Sequence, residues 1–220
     1  MQIPSVIMKR LLNDILLILC VVCLVACSDG DEDSGEYIPP YTTDLLLVSV
    51  DANGKIVSVQ MDDGTTYNVA SQKFNLSAKD TLLRCMATYT YEGQKPFQIH
   101  GIVPIFTDEP HPANSIGVVV NGKIYQDVSL LPRHPVKLIS MWKSGGYLNL
   151  HLGMMTTDNG AHEFLFCEDG DGQYSLLHLR PTSDGSAYTE HLYLSMPIPE
   201  GLEHFTFTVR TYDGDYIREF

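Results

Sequence analysis

The chain has 220 residues, with 27 acidic and 14 basic side chains and a formal net charge of −13 at pH 7. Such acidity argues against a nucleic-acid-binding protein, because phosphate contacts need Lys and Arg. The length predicts one large or two small domains.

Residues 1–26 have the pattern of a secretory signal. Lys9 and Arg10 precede an uncharged apolar run from Ile15 to Val25. This run is shorter than the roughly 20 apolar residues that a membrane-spanning helix needs. It ends in Leu-Val-Ala-Cys, which resembles a bacterial lipobox. The resemblance implies cleavage before Cys27 and a lipid on its sulfur, and two or more acyl chains would hold the protein stably on a membrane.

Two alternatives to the lipoprotein remain open, an ordinary secreted protein and an uncleaved N-terminal anchor. The start of translation is open too, because Met8 directly precedes Lys9. Removal of residues 1–26 would leave 194 of the 220 residues. The removed part has a net charge of +1, so the remainder would carry a charge near −14.

Residues 27–41 are predicted to form an acidic, flexible tether. The segment from Ser28 to Asp33 holds four acids in six residues, so it cannot bury apolar surface and should stay solvated. An acidic run directly after a lipidated cysteine resembles the surface-export signal of Bacteroides-type lipoproteins. That resemblance implies an outer-membrane lipoprotein exposed at the cell surface, with the periplasmic face as the alternative location.

Short strands separated by turns dominate residues 42–132, and no segment shows a helical stripe with caps. Asn53-Gly54 is a turn signal, and Pro104 indicates a strand edge or bulge. A hairpin at residues 116–128 could close this domain. The number of strands predicts a small β-barrel, with predicted strands at residues 45–50, 55–61, 66–69, 81–91 and 97–106.

Residues 133–220 are predicted to form an antiparallel β-sandwich. The boundary is placed at Arg133-His134-Pro135, and the proline-rich loop at residues 107–114 is a second possible boundary. Turns such as Asp213-Gly214-Asp215 punctuate this half about every dozen residues. The predicted strands are residues 136–143, 147–152, 162–168, 173–180, 190–196 and 205–210.

The remaining cysteines, Cys85 and Cys167, fall in different predicted domains. A disulfide framework is therefore not expected, and both should be buried as small apolar side chains.

The hairpin around Gly145-Gly146 carries the candidate binding face. If the two glycines form the loop, Met141 lies opposite Leu150 and Ile139 opposite Leu152, and these residues form a core face with Leu148. The opposite face collects Trp142, Tyr147, Asn149 and His151. Aromatic and amide side chains suit a protein or sugar ligand. The alternative is that the barrel or the other sheet simply covers Trp142.

Four segments together resemble the NigD-like lipoproteins over essentially the whole mature chain. The segments are MDDGTTYNV, VKLISMWKSGGYLNLHL, AHEFLF and LLHLRP. The resemblance implies an N-terminal OB-like barrel followed by a C-terminal β-sandwich, which agrees with the strand count. The family takes its name from a bacteriocin-associated operon. The chain departs from the family at residues 178–181, where His-Leu-Arg-Pro replaces an Arg-His-Asn run.

The sequence contains only incomplete versions of known catalytic and metal-binding motifs. His162-Glu163 begins a zincin-like motif, but Phe166 stands where the second histidine belongs. Asp169 to Gly172 resembles the start of a calcium loop, but its twelfth position is Arg180 rather than Glu. We therefore expect no enzyme activity, no cofactor and no metal site.

Two functions from different classes follow. The first is a lipid-anchored, exported envelope protein that binds a protein or peptide partner. The second is a carbohydrate-binding accessory surface lipoprotein.

Overall fold

The computed structural model describes residues 41–220, except 73–74, 92–96, 116, 121–122, 126–127, 129–130, 158–161 and 181–186. The predicted signal (1–26), lipid-bearing Cys27 and nearly all of the tether (27–41) lie outside the described residues. The described residues belong to one compact unit. Among them, no helix is long and apolar enough to cross a membrane.

The first five strands form a closed barrel in the order β1-β2-β3-β5-β4, with β3 parallel to β5. Alternate apolar residues of each strand point inward, including Leu46, Val48 and Val50 on the first strand. This arrangement confirms the small barrel. Its strands are β1 (Thr42–Val50), β2 (Ile56–Gln60), β3 (Thr66–Ser71), β4 (Thr81–Thr90) and β5 (Phe97–Pro104).

The rest of the chain builds two packed sheets, and the predicted barrel-plus-sandwich architecture is confirmed. The first sheet has the order β10-β11-β14-β6 and the second β16-β15-β13-β12-β7, while β8 and β9 form a separate hairpin. Their bounds are β6 (Phe106–Thr107), β7 (His111–Pro112), β8 (Val118–Val120), β9 (Lys123–Tyr125), β10 (Lys137–Ser144), β11 (Tyr147–Thr157), β12 (Glu163–Gly170), β13 (Gln173–Leu179), β14 (Ala187–Pro197), β15 (Thr206–Thr211) and β16 (Gly214–Glu219).

Several details differ from the sequence-based expectations. The predicted strand at 97–106 splits at Ile105, and the predicted loop at 107–114 contains β7. Both β6 and β7 pair with sandwich sheets. The β8–β9 hairpin lies outside the barrel, because β1 already pairs with β4 to close it. Strand β16 was not predicted, since its side chains are exposed throughout and show no apolar alternation.

A bulge changes the register of the hairpin formed by β10 and β11. Met141 lies opposite Leu150 as predicted, but Leu138 rather than Ile139 lies opposite Leu152. The prediction for Ile139 was wrong because the bulge inserts one residue and leaves its side chain 42% exposed.

Both described cysteines are free and fully buried, Cys85 in the barrel core and Cys167 in the sandwich. Burial raises the pKa of each thiol to about 12. They therefore act as small apolar side chains, as expected from the sequence.

A buried ion pair joins the barrel to the sandwich. Arg84 of β4 is only 3% exposed and donates two hydrogen bonds to Asp62, at 2.5 and 2.9 Å. The same guanidinium lies 4.7 Å above the ring of Tyr147 and donates a long hydrogen bond of 3.5 Å to Asn149. The side chain of Arg84 thus contacts both the turn between β2 and β3 of the barrel and strand β11 of the sandwich.

Asn149 continues this network into the first sandwich sheet. It is fully buried, accepts a 2.6 Å hydrogen bond from Ser195, and donates one of 2.9 Å to Ser144. Its polar atoms therefore have partners in two other strands of the sandwich, β10 and β14, and in the barrel. A buried amide in such a network specifies one packing arrangement of the two halves.

The turn between β10 and β11 packs directly on Asp62. Gly145 and Gly146 have φ values of 59° and 80°, in the left-handed region. A Cβ atom at Gly145 would lie 2.8 Å from the Cγ and 3.2 Å from the Cα of Asp62, whereas one at Gly146 would meet nothing within 4 Å. The first glycine is therefore needed for close approach as well as for its backbone conformation.

We expect Gly145→Ala to destabilise the protein more than Gly146→Ala. Both variants carry the backbone strain of a positive φ, about 1 kcal/mol. Only Gly145→Ala also forces the turn away from Asp62, which should cost about 1–3 kcal/mol more. Urea unfolding of the two variants measures the difference, and an equal loss of stability would contradict the packing of this turn on the barrel.

A second buried polar group lies in the sandwich, where His178 of β13 is 2% exposed. Its Nδ1 lies 3.3 Å from the carbonyl oxygen of His134, and its Nε2 lies 2.8 Å from Nδ1 of His162. A neutral His178 therefore donates to the carbonyl group and accepts from His162. Burial, and then the nearby His162, lowers the pKa of His178 to about 4, and burial also lowers the pKa of His162.

This pair should make stability depend on pH on the acidic side. In the unfolded chain a histidine has a pKa of about 6.5, so the unfolded state binds the proton first as pH falls. The stabilising contribution is complete above about pH 6.5 and is lost as pH falls towards 4, by an amount of the order of 3 kcal/mol.

Urea unfolding between pH 7 and pH 4 measures this loss. His178→Gln keeps a hydrogen-bonding side chain without titrating, and should make the fall in stability smaller by an amount of the order of 3 kcal/mol. The matched control is His204→Gln, because His204 is exposed. The assignment fails if the His178 variant loses stability with pH as steeply as the control does.

Candidate functional site

The four residues predicted to form a binding face do share one face of the hairpin formed by β10 and β11. Trp142 lies directly opposite Asn149, and Tyr147 and His151 follow at alternate positions of β11. This face of the hairpin is turned towards the barrel, through the contacts of Tyr147 and Asn149 with Arg84. Their role in ligand binding stays a prediction.

The structure divides these four residues between two environments. Asn149 is fully buried and Tyr147 lies under the guanidinium of Arg84, so both serve the contact between barrel and sandwich. Trp142 and His151 are half-buried. His151 stacks on Tyr193 with ring centroids 4.3 Å apart and shares a hydrogen bond of 2.9 Å with His191. Burial, followed by the neighbouring His191, lowers the pKa of His151.

Trp142 lines a cleft of about 440 Å³ between the two halves, called here the interdomain cleft. Trp142 and Tyr193 form the sandwich wall. The barrel wall comes from the start of β1, the turn between β2 and β3, and β4, and consists of Thr43, Asp44, Leu45, Met61, Asp62, Asp63 and Met86.

Three carboxylates line this cleft, and among the described residues its lining contains no Lys or Arg. Asp62 is already paired with Arg84. Asp44 accepts a 2.8 Å hydrogen bond from Tyr89, whose pKa is raised by burial and then by this contact with Asp44. Hydrogen bonds from Thr65 lower the pKa of Asp63, so this carboxylate is ionised at neutral pH.

This arrangement can hold a cationic group that carries an apolar stem. Trp142 offers the aromatic face that attracts cations most strongly, Met61 and Met86 offer adaptable apolar surface, and Asp44 and Asp63 offer charge. A lysine or arginine side chain combines all the complementary properties. Within the described part of the chain, no group of three or more His, Cys, Asp or Glu is placed to hold a metal ion.

Sequence reasoning missed the barrel side of the cleft. Asp44, Asp63 and Met86 belong to three separate parts of the barrel, and Tyr193 belongs to a strand more than 40 residues beyond β11's start. No local pattern links them, because closure of the barrel and docking on the sandwich bring them together. The acidic turn in MDDGTTYNV was the one available signal, since it places two carboxylates beside an apolar Met61.

Comparison of the sequence with protein-family models and with curated proteins gives no match. Solved structures do match. A NigD-like immunity protein from Bacteroides caccae ATCC 43185 is 23% identical, with a TM-score of 0.63, and the match covers 84% of this chain and 93% of that one.

Two further structures share the fold at lower identity. A protein described as toxin-related, from Parabacteroides distasonis ATCC 8503, is 16% identical with a TM-score of 0.62, covering 82% of this chain and 92% of that one. A candidate lipoprotein from Bacteroides fragilis NCTC 9343 is 8% identical with a TM-score of 0.53, covering 82% and 96%. None of the three is described as an enzyme. The resemblance to NigD-like proteins is confirmed for the fold: this chain has the barrel-and-sandwich fold of a NigD-like protein along most of its length.

Proposed function

We propose that this protein is a non-enzymatic, lipid-anchored protein of the cell envelope that binds a protein or peptide partner in the interdomain cleft. Cys27 carries the lipid, and the acidic run after it directs the protein to the cell surface at the outer membrane. The observation that carries the binding role is the cleft itself, a space of about 440 Å³ lined by the half-buried Trp142 and by the carboxylates of Asp44 and Asp63, for which the described residues show no ion pair.

The rigid connection between the two halves supports this role. Both walls of the cleft are held by the network of Arg84, Asp62 and Asn149, so the cleft is preformed rather than assembled on binding. A preformed site loses less conformational entropy when a partner binds. The similar Bacteroides caccae protein is described as an immunity protein, which also fits a partner that is itself a protein.

The carbohydrate-binding alternative rests on Trp142 and Tyr193, which could stack on a sugar ring. It is less well supported, because Asn149, the amide of the predicted face, is fully buried and engaged. The methionines and carboxylates of the barrel wall suit a basic polypeptide better.

Replacement of Cys27 by Ala tests the anchor. A thioether-linked lipid requires the sulfur, so the variant should no longer incorporate radiolabelled palmitate and should move from the membrane to the soluble fraction. Cys20→Ala is the matched control, since it changes a cysteine within the predicted signal. Continued incorporation of palmitate by the Cys27 variant would contradict lipid attachment at this residue.

Photo-crosslinking from position 142 tests the binding role. Trp142 is replaced by benzoylphenylalanine in the full-length protein, and intact cells are irradiated. We expect a discrete protein adduct, because the side chain lies within the proposed site. The control position is Tyr216, which is 45% exposed on β16 of the other sheet.

Two outcomes would contradict partner binding in the cleft: no adduct from position 142, or the same adducts from both positions. A glycan array probed with the wild-type protein and with Trp142→Ala tests the carbohydrate-binding alternative. Glycan binding that is lost in the variant, without a protein adduct, would favour the carbohydrate-binding function.

A further inference from the structure

Strand β14 has a free edge in the described structure. Along one side it pairs with β11 over its full length, from Ala187 to Pro197. Along the other side, within the described residues, only Leu194 and Ser195 have a partner strand, the two-residue β6. The backbone from Tyr188 to Tyr193 therefore presents donors and acceptors that no described strand uses. Six residues of strand extend over about 20 Å.

A groove of about 490 Å³ runs along this edge and is called here the edge groove. It occupies the place where β6 would continue. The chain just before β6 turns away to the barrel instead, where the backbone of Ile105 donates to the carbonyl oxygen of Arg84. The groove is therefore bounded by the barrel on one side and the sandwich on the other, and a further strand would fill it.

The walls of the edge groove are mostly apolar. Phe106, Phe164 and Leu192 line it from the sandwich, and Val103 and Met86 line it from the barrel. Side chains of an added strand would point alternately to the two sides. Those pointing inward would meet Phe106, Phe164 and Leu192, and those pointing outward would meet Met86 and Val103.

The charged residues along the edge groove and the interdomain cleft favour a positively charged ligand. The edge groove contains Glu190, and it shares Met86 and Tyr193 with the interdomain cleft, where Asp44 and Asp63 lie. Within the described residues, no Lys or Arg lines either of them. The two together form a path that is apolar along the β14 edge and acidic at the Trp142 end.

We propose that an extended, cationic peptide segment of the partner adds as a strand to the free edge of β14. Its backbone pairs with residues 188–193, its apolar side chains enter the edge groove, and a Lys or Arg reaches Asp44 and Asp63. Strand addition of this kind takes its affinity from main-chain hydrogen bonds and its specificity from pockets for alternate side chains. The inference rests on the proposed function, because it names the kind of partner that the protein binds.

Selection from a display library of short random peptides on the mature protein tests the proposal. We expect enrichment of peptides that alternate apolar residues and carry at least one Lys or Arg. An enriched peptide should slow amide hydrogen exchange at residues 188–193. It should also lose affinity at least about tenfold when its backbone is N-methylated, because methylation removes the pairing donors.

Val103→Arg and Ile124→Arg form the matched variants. Both side chains are β-branched and 64% exposed, but only Val103 lines the edge groove, whereas Ile124 lies on β9. The arginine at 103 adds bulk and positive charge, so affinity for the enriched peptide should fall at least about tenfold. The arginine at 124 should leave the affinity unchanged.

The proposal is overturned if no peptide is enriched, if the enriched peptides are acidic, or if N-methylated peptides bind as well as unmodified ones. Equal binding to the two arginine variants overturns it as well. These outcomes are separable from failure of the proposed function. If position 142 gives a protein adduct in cells but no strand-forming peptide is enriched, the proposed partner binding stands and strand addition to β14 is wrong.

Discussion

The buried ion pair between Arg84 and Asp62 is the contact on which the rest of the structure depends. Removing an arginine from water costs several kcal/mol, and only a bidentate carboxylate, an aromatic face and an amide together compensate for it here. Two of those partners, Tyr147 and Asn149, belong to the sandwich. These contacts form only when the barrel and the sandwich are docked in this arrangement, so they favour one relative position of the two halves. The buried Nε of Arg84 has no hydrogen-bond partner among the described residues.

The docking of the barrel on the sandwich creates both proposed binding surfaces, the interdomain cleft and the edge groove. The interdomain cleft takes one wall from barrel strands and the other from Trp142 and Tyr193. The edge groove exists because the chain before β6 belongs to the barrel, so that β6 pairs with β14 over only two residues. Neither surface belongs to one half alone. We therefore place the proposed binding site at this junction, where rigid elements from both halves hold the side chains in place.

Sequence patterns predicted the strands well where one face is buried. The alternation in β11 gave its start and its inward face, which is formed by Leu148, Leu150 and Leu152. The same reasoning failed at Ile139, because a bulge shifts the register, and at β16, because an exposed strand has no apolar face. The predicted face around Trp142 was located by alternation alone. The position of the barrel decided that Trp142 lines the cleft and that Tyr147 and Asn149 contact Arg84, while His151 packs on Tyr193.

The sequence by itself determined the all-β character, the two-part organisation and the acidic charge. Its lipobox-like segment also predicts a location in the cell envelope. These properties are local or additive: strand period, turn residues and charge need no knowledge of distant contacts. Only the tertiary structure decided which polar residues form the contact between the barrel and the sandwich. Asp62 and Asp63 are adjacent in sequence and alike in chemistry, and both line the interdomain cleft, yet Asp62 is the one that binds Arg84 in the described structure. No local pattern distinguishes the two, because Arg84 lies 22 residues from Asp62 in sequence and reaches it only once the barrel has closed.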